Sequence, residues 1–269
     1  MASKDYSLQE LNICTGSDGL HANLIFYKTV STFECFKIHL DLCPRHWETY
    51  ARILASIDEN HRDYTIRLLQ FLTYSKRPLT IQEAVDVLVV DPNGDPPFDS
   101  KLRMPKPQEI MKICSSLVSL VTRQLNGETI MELQLAHFSV QQYLQSKQIE
   151  ATFRGKTTEV VWTFQNDLNE IRARESITRI CLAYLSHLAE QSLVRNIRIE
   201  FPLAQYSAQY WMNHARSAET EKDIQERILN FFLQERQSYA AWGELFDPDL
   251  PWTEEPRKYR RQLHCTTHL

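Results

Sequence analysis

The sequence predicts a mainly α protein: a winged helix (helices plus a β-hairpin wing) followed by an all-helical bundle or short solenoid. Three observations point there. Asn126-Gly127 sits between two runs of alternating apolar residues, the pattern of a two-residue hairpin turn. Helical stripes, some with capping signals, flank that hairpin on both sides. Beyond residue 150 the apolar residues recur at helical spacing with no second hairpin signal. A chain of 269 residues with 43% hydrophobic and 24% charged residues is long and apolar enough to bury a core.

Residues 1–44 show no sustained period. Gly16-Ser17-Asp18-Gly19 is a turn signal, and Leu24-Ile25-Phe26-Tyr27 reads as a short strand. From Pro44 the pattern sharpens, with Trp47, Tyr50, Ala51, Leu54 and Ile57 at helical spacing. A second helix over 64–74 carries Leu68, Leu69, Phe71 and Leu72. It stops before Pro78, since the residue preceding a proline avoids the helical region. Thr80-Ile81-Gln82-Glu83 is a capping box, opening a short helix with Ile81, Ala84, Val85, Leu88 and Val89 on its buried stripe. Residues 91–107 hold five prolines and form a loop. A fourth helix, about 109–118, would carry Ile110, Ile113, Cys114, Leu117 and Val118.

The hairpin register follows from the turn. If Leu125 faces Glu128, then Thr122–Met131, Leu120–Leu133 and Val118–Leu135 pair on one mainly apolar face, with Arg123, Glu128 and Glu132 on the other. Leu133 and Leu135 are expected to be buried against the 109–118 helix. Ser139-Val140-Gln141-Gln142 reads as another capping box, opening a helix with Tyr143 and Leu144. The winged helix occupies about 62–150, within a domain spanning 45–150. The region 151–245 shows four stripes: Val160 to Ile171, Ile177 to Leu188, Leu203 to His214 (opened by Pro202), and Ile224 to Phe232. Residues 246–269 form a Pro-rich linker and chain end.

Several function classes are disfavoured. Only 6 Gly against 11 Pro argues against a Gly-rich nucleotide fold. The longest apolar run is six residues, 180–185, far short of a membrane span of ~20. No apolar signal-peptide core follows Met1. The six cysteines form no Cys-x-x-Cys pair and read as reduced, mostly buried thiols of a cytoplasmic protein. Net charge is −4, with no basic segment suited to nucleic acid or an anionic membrane.

Gly155-Lys156-Thr157-Thr158 lacks the glycine that a phosphate loop needs five positions earlier, where Glu150 stands, and reads as an exposed turn. Ser17 does not sit in a Gly-x-Ser-x-Gly elbow. His264 and His268 could share a helix face, but no partner ligands have metal spacing. In the 109–118 helix, Lys112 is offset by Glu109, and in the wing Arg123 is offset by Glu128 and Glu132. That balance is poor for phosphate neutralisation. His137, between a wing strand and a capped helix, either hydrogen-bonds a nearby carbonyl or carries a functional role.

The second reading rests on resemblance. The residues concerned are Trp47-Glu48-Thr49-Tyr50-Ala51-Arg52-Ile53-Leu54, Arg77-Pro78-Leu79-Thr80 with Glu83-Ala84, and Ile113-Cys114-Ser115-Ser116-Leu117-Val118. They continue through Leu135-Ala136-His137-Phe138-Ser139-Val140-Gln141-Gln142-Tyr143-Leu144, Cys181-Leu182-Ala183-Tyr184-Leu185, Phe201-Pro202-Leu203-Ala204-Gln205-Tyr206, Tyr210-Trp211 and His214-Ala215. In this order, over about 45–215, they resemble the segment following the NTPase core in fungal NACHT proteins. These are NLR-like signalling ATPases of fungal innate immunity, and their winged helix is also named after GPI inositol-deacylase. The end, Gln262-Leu263-His264-Cys265-Thr266, resembles the opening of an ankyrin repeat.

The resemblance implies a non-enzymatic module of protein–protein regulation with no cofactor of its own. Its partners would be proteins, including an NTPase core in cis or in trans, and not nucleic acid or membrane. The core would precede residue 45, where only 44 residues stand, so the chain is expected to be a truncated member or part of a longer product. His137 would sense the β-phosphate of ADP held by such a core. Phe138 departs from the best-known form of that motif, which has an acid there. The rival expectations are a hydrolase related to GPI inositol-deacylase and a DNA-binding winged helix.

Overall fold

The structure, a computed structural model, describes residues 44–114, 116–125, 127–146, 164, 166–190, 197–218, 221–233 and 236–246. The chain divides into two compact units, Met1–Thr49 and Tyr50–Leu269. Of the first, residues 44–49 are described and form the start of helix α1 (Pro44–Ala55), beyond which Ile57 lies.

In the second unit, α2 (Glu59–Tyr74) begins five residues before the expected boundary. The Asp58 carboxylate caps it, accepting the Asn60 N–H at 2.8 Å, so a polar first turn precedes the apolar stripe. A two-residue strand β1 (Leu79–Thr80), which periodicity had not suggested, leads into α3 (Ile81–Val89). The capping box of α3 is complete. Thr80 Oγ1 accepts the Glu83 N–H at 3.2 Å, and Glu83 Oε2 accepts the Thr80 N–H at 2.7 Å.

The fourth helix is corrected. Residues 107–112 form a 3-10 helix, and Val118 opens strand β2 (Val118–Leu125). Strand pairing takes Val118: it faces Leu135 on β3 (Glu128–Leu135), and the Ala136 N–H bonds the Leu117 carbonyl at 2.8 Å. The register is the expected one, with Leu120↔Leu133, Thr122↔Met131 and Leu125↔Glu128. Gly127 has φ +85, the conformation its place in the turn requires. The sheet order is β1-β3-β2, with Leu79 opposite Leu133. Leu133 is buried, whereas Leu135, opposite Val118 at the base of the hairpin, is only half-buried because it borders an open groove.

The last helix of the winged helix, α4 (Phe138–Gln145), is also corrected at its start. Its cap is His137, not Ser139, since Phe138 is already helical.

The helical region is organised around α5 (Glu170–Glu190), against which α2 and the later helices α7 (Ala204–Ala215), α8 (Lys222–Leu233) and α9 (Arg236–Leu245) pack. A short α6 (Ile197–Glu200) precedes α7, which starts at Ala204 with Leu203, rather than Pro202, just before it. Ile177, Ile180, Cys181, Tyr184, Leu185 and Leu188 are all buried, as the clean stripe predicted. In the stripe before it, Phe164 and Leu168 are buried, Ile171 is exposed, and Val160 and Val161 lie outside the described residues. Phe71, Leu79, Val87 and Phe98 of the winged helix share one hydrophobic cluster with Ile177, Tyr184, Tyr206 and Trp211 of the helical region. The two regions are therefore built on one core. Among the described residues no helix is long and apolar enough to cross a membrane.

Candidate groove at His137

The end of α2, the strand β3 and the start of α4 enclose an open groove of about 330 Å³, lined by Thr73, Lys76, Arg77, Leu133, His137 and Gln141 among others. His137 is exposed there and holds extended backbone. Its Nδ1 accepts the Ser139 N–H at 3.1 Å, satisfying one of the orphan amides of α4. The Ser139 hydroxyl lies 2.7 Å from the same nitrogen and 2.6 Å from the Tyr50 hydroxyl. An Nδ1 that accepts must carry no proton, which assigns the proton to Nε2. The imidazole thus caps a helix through one nitrogen and keeps the other as a donor.

The Ser139–His137 distance is that of a nucleophile and its base. Ser139 is nevertheless only 5% exposed, and its N–H already occupies the imidazole nitrogen, so the pair works as a cap.

The two cations beside His137 differ. Arg77 grips the buried Glu83 with two hydrogen bonds, at 2.8 and 2.5 Å, and lies over the Tyr206 ring at 5.2 Å. It is committed to the fold. Lys76 is exposed and makes no ion pair among the described residues. Lys76 and His137 Nε2 are exposed donors at the groove, and the buried Thr73 hydroxyl that also lines it has no hydrogen-bond partner among the described residues.

Sequence reasoning missed a polar clasp between α3 and α5. Asp86, fully buried on α3, accepts from Arg103 Nε at 2.6 Å, Arg103 Nη2 at 2.9 Å and the Tyr184 hydroxyl at 2.5 Å. Arg103 also reaches the Glu200 carbonyl at 2.7 Å and stacks over Phe98. Burial, followed by the Asp86 carboxylate, pushes the Tyr184 phenol far above its ordinary range, so it stays a donor. The available signal was Asp86 itself, a lone carboxylate inside Val85-Asp86-Val87-Leu88-Val89.

The other candidates divide simply. Cys114 and Cys181 are free and buried, and burial pushes both thiols up to about 12, which leaves them inert. Ser17, Gly155 to Thr158, His264 and His268 lie outside the described residues. No His/Cys/Asp/Glu group suited to a metal occurs among the described residues. On the wing, Arg123 is paired with Glu132 at 2.9 Å.

Helices, a short strand, a 3-10 turn, a hairpin wing and a closing helix are the parts of a winged helix, and a family comparison agrees. Residues 53–155 match the model described as "GPI inositol-deacylase, winged helix domain". The segment is a winged helix similar to that of GPI inositol-deacylase. His137 therefore stands in the winged helix where the wing returns to the last helix. Over 220 residues the chain is 33% identical to "Azaphilone pigments biosynthesis cluster protein L" of Monascus ruber, covering 80% of this chain and 45% of that protein. It spans less than half of that relative's length. No solved structure matches the chain.

Proposed function

We propose that this chain is a non-enzymatic regulatory module, a winged helix and helical region that moves as one body and works through protein contacts. The observation that carries the reading is the shared core: Phe71, Val87 and Phe98 pack into the same cluster as Tyr184 and Trp211. A contact made at the wing or the groove is then felt in the helical region. The charge pattern supports a protein rather than DNA as partner, because the wing arginine is neutralised by Glu132 and the place of a groove-reading helix is taken by a 3-10 turn with Glu109 bonded to Lys112 at 3.0 Å.

The fungal NACHT resemblance sharpens this reading. His137 Nε2 and Lys76 would meet the phosphates of a nucleotide held by an NTPase core supplied in cis or in trans. The described residues offer scattered donors and no phosphate loop at this groove, so the chain alone should not retain ADP. Calorimetry with ADP and Mg²⁺ on this chain tests that expectation, and micromolar affinity would contradict it. On a chain joined to its NTPase core, His137→Ala should speed ADP release; unchanged release would return His137 to helix capping alone.

A further inference from the structure

A second pocket, about 310 Å³, lies where α2, the loop after α3, α5 and α8 meet. Its polar lining is Arg67, Asn93, Ser176, Arg179, Asp223 and Arg227. Three guanidinium groups face one carboxylate there, and their hydrogen bonds show which donors remain.

Arg67 spends Nη1 on carbonyls at the C-terminal end of α3, those of Val87 at 3.3 Å, Leu88 at 3.2 Å and the capping residue Val90 at 2.6 Å. These carbonyls are the negative end of a helix, but none is a counter-ion. Arg67 has no carboxylate within ion-pair distance among the described residues. Burial pulls its guanidinium below the ordinary range, while Asp91 and Asp63 act on it through space in the opposite sense. Its Nε and Nη2 form no hydrogen bond with the described residues.

Arg179 gives Nε to Asp223 Oδ2 at 2.5 Å and Nη2 to the Glu175 carboxylate, keeping Nη1. Arg227 gives Nε to Asp223 at 3.1 Å, Nη1 to the Pro92 carbonyl at 2.9 Å and Nη2 to Asn93 Oδ1 at 2.6 Å. The Ser176 hydroxyl has no partner among the described residues. Several donors therefore stay unspent: Nε and Nη2 of Arg67, Nη1 of Arg179 and the Ser176 hydroxyl.

We propose that this pocket binds a phosphate dianion, free or as a small phosphomonoester, held by Arg67, Arg179 and Ser176. The planar guanidinium fork suits phosphate because two parallel N–H groups match two phosphate oxygens. The volume sits at the small end of ligand pockets, roughly 300–1,000 Å³. Asp223, whose Oδ2 accepts from both Arg179 Nε and Arg227 Nε, occupies anion space and competes with the ligand.

That competition gives a test whose sign separates a site from a structural ion-pair cluster. Inorganic phosphate is titrated into the full chain at constant ionic strength, with the thermal midpoint and the ³¹P line width as readouts and chloride as the control. Phosphate should raise the midpoint and broaden its line where chloride does not. Arg67→Gln should weaken binding about tenfold, the loss of a charge-assisted hydrogen bond. Asp223→Asn should tighten it severalfold although it removes two ion pairs. If Arg67→Gln fails to fold, Ser176→Ala with Asp223→Asn carries the comparison. Methyl phosphate alongside inorganic phosphate assigns the free ion or the ester by the tighter binder. No shift beyond that of chloride, or affinity that does not rise in Asp223→Asn, would overturn the site.

Discussion

The β2–β3 wing and the Asp86 clasp both start from the winged helix but are held by different physics. The wing is a hairpin whose main-chain ladder joins residues of one short stretch. Its base is buried at Val118 and Leu133, while Leu125 near the tip is 57% exposed. The clasp is made of side chains, and Tyr184 reaches Asp86 across 98 positions of sequence. Damage to the wing tip stays local, because few buried groups depend on it. Damage to the clasp leaves buried polar groups without partners on both sides of the core. The wing tip can therefore change without disturbing the core, and the clasp ties the winged helix to the helical region.

The strongest way to break that contrast is Asp86→Ala. It strips Arg103 and the Tyr184 hydroxyl of their acceptor, and losing one partner of a buried ion pair costs about 3–5 kcal/mol. Urea unfolding should show this loss at an unchanged slope. Next is Leu133→Ala, at the covered base of the wing, where an emptied leucine site costs roughly 2–5 kcal/mol; an unchanged thermal midpoint would contradict the packing of β3.

A third test uses pH. His214 is fully buried, 3.0 Å from the Tyr206 hydroxyl, and its pKa is lowered to about 3, first by burial and then by Arg174 and Lys76. The unfolded chain binds this proton below about pH 6.5, and the folded chain does not until about pH 3. Stability from this group is full above the unfolded value and falls through that window on acidification, by about 2 kcal/mol at pH 5. His214→Gln should flatten this part of the stability–pH profile. The smallest effect is expected at the wing tip. Gly127→Val, at positive φ, should cost about 1–2 kcal/mol and speed amide exchange in β2 and β3 while leaving α5 protected.

The same contrast explains what the sequence made legible. The wing pairs were readable to the residue, because a two-residue turn and strict alternation set the register locally. The α5 stripe was readable because its period is regular over Ile177 to Leu188. Val118 fits a helical stripe and a strand equally, and its expected pairing with Leu135 decides for the strand, while the helix expected over 109–118 is a 3-10 helix over 107–112. His137 was singled out, but its capping bond depends on the backbone turn at Phe138, which the Ser139 capping-box pattern concealed. The clasp and the Arg67 pocket were invisible as assemblies. Their members stand on separate elements, and their only local mark is a charge inside an apolar run.

Native-state hydrogen exchange in rising urea tests the central claim, that winged helix and helical region are one cooperative body, most directly. The amides to follow are those of residues 85–88 on α3 and 180–185 on α5. They should converge on the same opening free energy and the same urea slope, and Asp86→Ala should lower both together. An α5 that opens at lower free energy while α3 stays protected, or the reverse, would contradict the account.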